Sequence, residues 1–157
     1  VGAGDGVVRG AYNDQDMNRV ESAVQAVAAQ AAALLAEIPA YLVEMSVATD
    51  AVFVLPYTEQ DAEVNPPQQW TRGQIPTEDE LERYLANVRT IKGILASDAP
   101  DVPDDMSDFH ISEANDIEQI LLSVEAALLR LREQTKNRIE RTAAGWNYSD
   151  EFFTGEV

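Results

Sequence analysis

The sequence predicts an all-α fold: an up-down bundle of three long helices, with a fourth short helix and a long proline-rich loop. Three observations point there. Apolar residues recur at alternating spacings of three and four in three separate stretches, the rhythm of helices packed at shallow angles. Two of these stretches open on strong N-terminal capping signals. Six of the seven prolines fall between the stretches, where they punctuate rather than break helices.

The first helix starts at Asn13 or Asp14, either of which can cap it, with Asp16 suited to the positive end of the helix dipole. Met17, Val20, Val24, Val27, Ala31, Leu34 and Ile38 then form its stripe, and the dense alanine between Ala26 and Ala36 favours helicity. Pro39 stops or kinks it, because the ring removes a donor and crowds the preceding turn. From Pro39 to about Ala48 the pattern favours a separate short helix, followed by an extended segment at Ala51–Leu55 with β-like composition. Residues 56–76 carry Pro56, Pro66, Pro67, Gly73 and Pro76 without periodicity and read as a long loop, anchored on the bundle or on a partner by Trp70.

The second helix opens on a capping box, Thr77 to Glu80, and turns Leu81, Tyr84, Val88, Ile91 and Leu95 to one side. The linker Asp98–Asp105, with two prolines and four aspartates, reads as extended and solvated. The third helix is capped at Ser112, runs to about Thr142 and stops at Gly145. Its seam is Ile117, Leu121, Val124, Leu128, Leu131 and Thr135. Beyond Leu131 the residues are mostly polar, so that end is expected to project from the bundle or to meet another chain. The chain thus divides into a flexible segment 1–11, a helical domain 12–145 and an aromatic-acidic tail 146–157.

A chain of 157 residues suits one domain, and 45 % hydrophobic with 25 % charged residues is the balance of a folded protein. Eleven basic residues against 28 acidic ones leave a net charge of −17, which repels phosphates; nucleic acid and membrane surfaces are not expected partners. The chain has no cysteine, hence no disulfide and no thiolate site. It starts at Val1 rather than at a methionine, so we expect a processed or excised piece of something larger.

Chemistry-bearing groups are sparse. His110 is the one histidine and has no serine in a strained turn beside it, which fits a surface or capping role. Asp98, Asp101, Asp104 and Asp105 lack the glycine turn and the bidentate glutamate of a calcium loop. No catalytic residue, metal site or cofactor is expected. Asn18 and Asn115 stand one turn into their helices, where asparagine is unfavourable unless its side chain bonds something; both are expected to bond backbone at the junction of helix ends. In the tail, Trp146, Tyr148, Phe152 and Phe153 are too apolar to stay together in water, so the tail is expected either to fold back on the bundle or to insert in a neighbouring subunit; with Trp70 they are the candidate partner contacts.

The helix starts echo one another: Tyr12–Glu21 aligns with Phe109–Glu118, each with an asparagine, an aliphatic residue and a glutamate in step. Gly10-Ala-Tyr-Asn-Asp-Gln-Asp-Met-Asn-Arg-Val20, Trp70-Thr-Arg-Gly-Gln-Ile-Pro-Thr77 and Glu113-Ala-Asn-Asp-Ile-Glu118 follow in order, and the chain closes on Tyr148-Ser-Asp-Glu-Phe-Phe-Thr-Gly-Glu156. In that succession the sequence resembles a helical module of tail-associated structural proteins of phages and prophages of Gram-positive gut bacteria. The resemblance implies a non-enzymatic role in the virion, assembly in the host cytoplasm, and other structural subunits or further copies of itself as partners. It carries over no catalytic residue. The alternative expectation is an acidic helical adaptor, secreted or cytoplasmic, that presents a groove to a protein partner.

Overall fold

The computed structural model describes residues 13–49, 53–105 and 111–145. The expectations for residues 1–11, for His110 and for the tail lie outside them. Among the described residues the chain is all-helical: α1 (Asp14–Glu44), α2 (Glu78–Leu95) and α3 (Ile111–Ala143), with no strand.

Helix α1 opens on a reciprocal capping box. Asn13 Oδ1 accepts from the Asp16 amide at 3.1 Å, and the Asn13 amide donates to Asp16 Oδ2 at 3.1 Å. Pro39 does not end the helix. It lies inside α1, and residues 40–44, expected in a separate short helix, are its last turns. Proline in a helix interior costs about 3 kcal/mol. Continuing the helix buries Leu42 and keeps Ile38 buried, and each such side chain contributes roughly 1.5–3 kcal/mol, enough to offset the proline. The helix ends in a Schellman turn: the Ser46 amide donates to Val43 O at 3.1 Å and the Val47 amide to Leu42 O at 2.8 Å. Ser46 takes the left-handed position, with φ 59°, that glycine usually fills.

The helices are parallel, which corrects the up-down expectation. Arg19 pairs with Glu118 near the starts of α1 and α3, while Glu37 pairs with Arg132 (2.8 Å) and Lys136 (2.6 Å) towards their ends. The described part of connection 45–77 runs back along α1 and α2. Tyr57 Oη donates to Ala31 O (2.7 Å), Gln25 Nε2 to Asn65 O (2.6 Å) and the Trp70 amide to Asn18 Oδ1 (2.7 Å), so its numbers rise as those of α1 fall. The same segment runs against α2, with Asn65 at Asn87 and Gln68 at Glu80. The second connection returns along α2 likewise, where Lys92 Nζ donates to Ser97 O (3.1 Å) and Arg89 Nη2 to Pro103 O (3.0 Å).

Length permits this topology. The residues 96–110 can span roughly 50 Å when extended, against about 27 Å for the 18 residues of α2. An up-down order follows from short connections, and neither connection is short. The first also carries a core layer of its own: Phe53, Leu55 and Tyr57 are buried while Val54 and Pro56 between them are exposed, and Ala62 and Trp70 are buried further on.

Because α1 continues through Pro39, the second half of α3 has cover along its length. Ile139 is fully buried in the common core with Ile38 and Leu42, and Thr135 is fully buried as well. That end therefore packs on α1 rather than projecting. By length and composition α1 could also cross a membrane, and its seam residues here pack in the protein core.

Candidate functional site: an apolar face on the two long helices

Polar side chains at core positions hold the returning loop. Glu21, 3 % exposed, stands in the α1 seam beside Val20 and Val24. Its Oε2 accepts from Arg83 Nη2 at 2.5 Å, from Trp70 Nε1 at 2.9 Å and from the Gln68 amide at 3.3 Å. A buried carboxylate is tolerable only when its lone pairs are met in this way. Trp70, 2 % exposed, also sets its ring edge-on to Tyr84, with centroids 6.3 Å apart and planes at 88°. It is an internal anchor, which removes it from the partner contacts expected from the sequence.

Two asparagines grip loop backbone at two points each. Asn18 accepts from the Trp70 amide (2.7 Å) and donates to its carbonyl (2.8 Å). Asn87, 1 % exposed, does the same for Asn65, at 2.8 and 3.0 Å. Asn18 bonds backbone as its helix position required, although the backbone is the loop's rather than a helix end's. Asn115, its counterpart in the echo, is exposed on α3, so the sequence echo is not an equivalence of roles. The sequence pattern alone does not assign roles to Asn87 and Glu21; their signal is a polar residue set among Leu85, Val88 and Ile91, and one beside Val20 and Val24.

The caps are local. Thr77 Oγ1 accepts from the Glu80 amide (3.1 Å), and the Thr77 amide donates to Glu80 Oε1 (2.8 Å). That bond, with one from Gln68, holds the Glu80 carboxyl below its usual range. Helix α3 begins at Ile111, so Ser112 sits inside its first turn rather than at the cap. Among the described residues no cluster of three or more histidine, cysteine or acidic side chains is arranged to hold a metal.

The opposite side is different in kind. The outward face of α1 carries Ser22, Ala26, Ala29, Ala33, Ala36 and Ala40, spaced four and three apart, and ends at Val43, all exposed. On α3, Leu122 and Leu129 are 62 % and 56 % exposed, seven residues apart and hence on one face. Between the helices lies a groove of about 260 Å³, with Ala33 and Leu34 on one wall, Leu128 and Leu129 on the other, and Gln30, Glu37, Glu125 and Arg132 at its margins. Arg132 and Lys136, both bonded to Glu37, hold that carboxyl below its usual range. Further along, Lys136 Nζ lies 4.7 Å from the centre of the Tyr41 ring, whose hydroxyl donates to Glu140 at 2.6 Å. The Glu140 carboxylate accepting that proton raises the Tyr41 pKa.

No family model, curated protein or solved structure matches this chain. The reading of the site therefore rests on its own geometry. The buried Glu21 and Asn87 are satisfied by contacts that involve the loop, whereas the face with unspent apolar surface is the one shared by α1 and α3. Trp146, Tyr148, Phe152 and Phe153, the other expected contacts, lie outside the described residues.

Proposed function

We propose that the protein is a non-enzymatic structural or assembly subunit of a phage tail or prophage-derived particle, acting through helix packing and subunit contacts. The observation that carries this reading is the exposed apolar face of α1 and α3, with Leu122 and Leu129 in water and a small-residue stripe beside them. The succession of helix starts gives the particle class, and other structural subunits or further copies of the chain would be its neighbours. The net charge of −17 suits a subunit kept apart from nucleic acid and soluble in the host cytoplasm until assembly.

Mass photometry and chemical cross-linking of the chain with assembled particles test this. The expected result is cross-links to other virion proteins, weakened by Leu122→Glu and Leu129→Glu. A strict monomer that joins no particle and binds no other virion protein would sink it. The same charge, together with the groove, supports a second reading: an acidic adaptor for a basic or amphipathic protein partner. Genes for tail and lysis functions beside this one would favour the first reading over the second.

A further inference from the structure

We infer that the groove between α1 and α3 seats a second copy of this chain, packed antiparallel about a two-fold axis that crosses the face between Leu128 and Leu129; this rests on the reading of that face as a subunit contact and names the subunit.

The α3 wall of the groove is its own complement when reversed. Glu125, Leu128, Leu129 and Arg132 line it in that order, an acid and a base seven residues apart with two leucines midway. Seven residues are nearly two full turns, so acid and base lie along one side of the helix. A two-fold axis between the leucines sets each Glu125 level with the other copy's Arg132 and closes the leucines on one another. Glu37, the other carboxylate at the margin, is already met by Arg132 and Lys136 of its own chain. Glu125 has no ion pair among the described residues. Arg132 binds Glu37 through Nε and Nη2, which leaves Nη1 to donate across the contact.

The helix as a whole is polarised in the same sense. Residues 111–125 of α3 hold four acidic side chains and no basic one, and residues 126–143 hold five basic and two acidic. An antiparallel partner lays each half on its opposite, whereas a parallel one would bring the acidic helix starts of both copies to one end. The net charge of −17 on each copy is screened beyond a Debye length of about 8 Å at physiological ionic strength, while the pairs at the groove are in contact.

The groove also stands at mid-length, since α1 is centred on Ala29 and α3 on Ala127. An antiparallel copy therefore overlaps the whole face, roughly 45 Å long and 20 Å wide for two helices side by side. That is about 900 Å² a side, against about 800 Å² in a standard stable complex. Leu122, 62 % exposed, falls inside this contact, roughly 10 Å from the axis.

The chain has no cysteine, so single ones can be introduced cleanly. With α1 and α3 in register 99 residues apart, the axis passes α1 midway between the exposed Ala26 and Ala33. Under mild oxidation, a mixture of full chains carrying Ala26→Cys and Ala33→Cys is expected to form linked dimers at least about tenfold faster than either chain alone. Sedimentation of the full chain at about 100 µM is expected to show a dimer, because contacts of this size bind between micromolar and picomolar. Glu125→Arg, at an exposed site, sets like charges level and is expected to weaken that dimer at least about tenfold. Either cysteine variant linking alone as fast as the mixture would overturn the antiparallel register. A monomer would overturn the second copy altogether, and would leave the proposed function standing if Leu129→Glu still weakened cross-links to other virion proteins.

Discussion

At the scale of single residues, the buried Glu21 is the group on which most of the loop depends. Arg83, Trp70 and the Gln68 amide all donate to it, and it is nearly sealed from water. Removing one partner of a buried ion pair costs far more than the net worth of the pair, because the remaining charge stays buried. Arg83→Ala is therefore expected to cost about 3 kcal/mol, which for a chain of this size lowers Tm by roughly 6–12 °C; calorimetry would show it. Tyr57 makes a pH prediction. Burial pushes its phenol up to about 12 from an ordinary value near 10. A raised folded-state pKa means stability fully present below the unfolded value and lost as pH rises through the folded one. Denaturant midpoints are expected to fall between pH 10 and about 12, and Tyr57→Phe is expected to flatten that part of the profile.

At the scale of elements, the test case is Pro39. Local rules for proline are sound, yet they set a cost of about 3 kcal/mol without the gain from burying Ile38 and Leu42 on partners far away in sequence. Pro39→Ala is expected to stabilise the protein, by up to about 3 kcal/mol, because α1 is already continuous there; an unchanged or lower midpoint in urea would contradict a continuous helix. What was legible in the sequence follows the same division. The caps at Asn13 and Thr77 involve residues three apart, and the seams of α1, α2 and α3 are local repeats, so they could be read directly. Helix direction, the grip of Asn87 on Asn65 and the burial of Trp70 depend on partners tens of residues apart, and no local pattern encodes them. The polar end of α3 reads as uncovered in the sequence because its cover is the part of α1 beyond Pro39, and in the structure Ile139 there is fully buried.

At the scale of the whole molecule, charge and helix direction dominate. Parallel packing gathers the three helix N-termini towards one end, where the first turns carry Asp14, Asp16, Glu78, Asp79, Glu80 and Glu113. Acidic groups there suit the helix dipoles, yet they crowd one another within a molecule of net charge −17. Raising ionic strength to about 1 M, where the Debye length is about 3 Å, is expected to increase Tm. A fall in Tm would mean that surface pairs such as Arg19–Glu118 outweigh the repulsion. The parallel arrangement has a further consequence in time. Each residue of α1 that meets α3 meets one almost a hundred positions later, as Tyr41 meets Glu140 across 99 residues. At about 5–20 residues per second of synthesis, the seam of α1 would wait roughly 5–20 s for its principal partner to be made. A protein built this way leaves the ribosome with its most apolar helix unsheltered, and its yield in a cell should depend on holdase chaperones more than that of a bundle whose neighbours are made in succession.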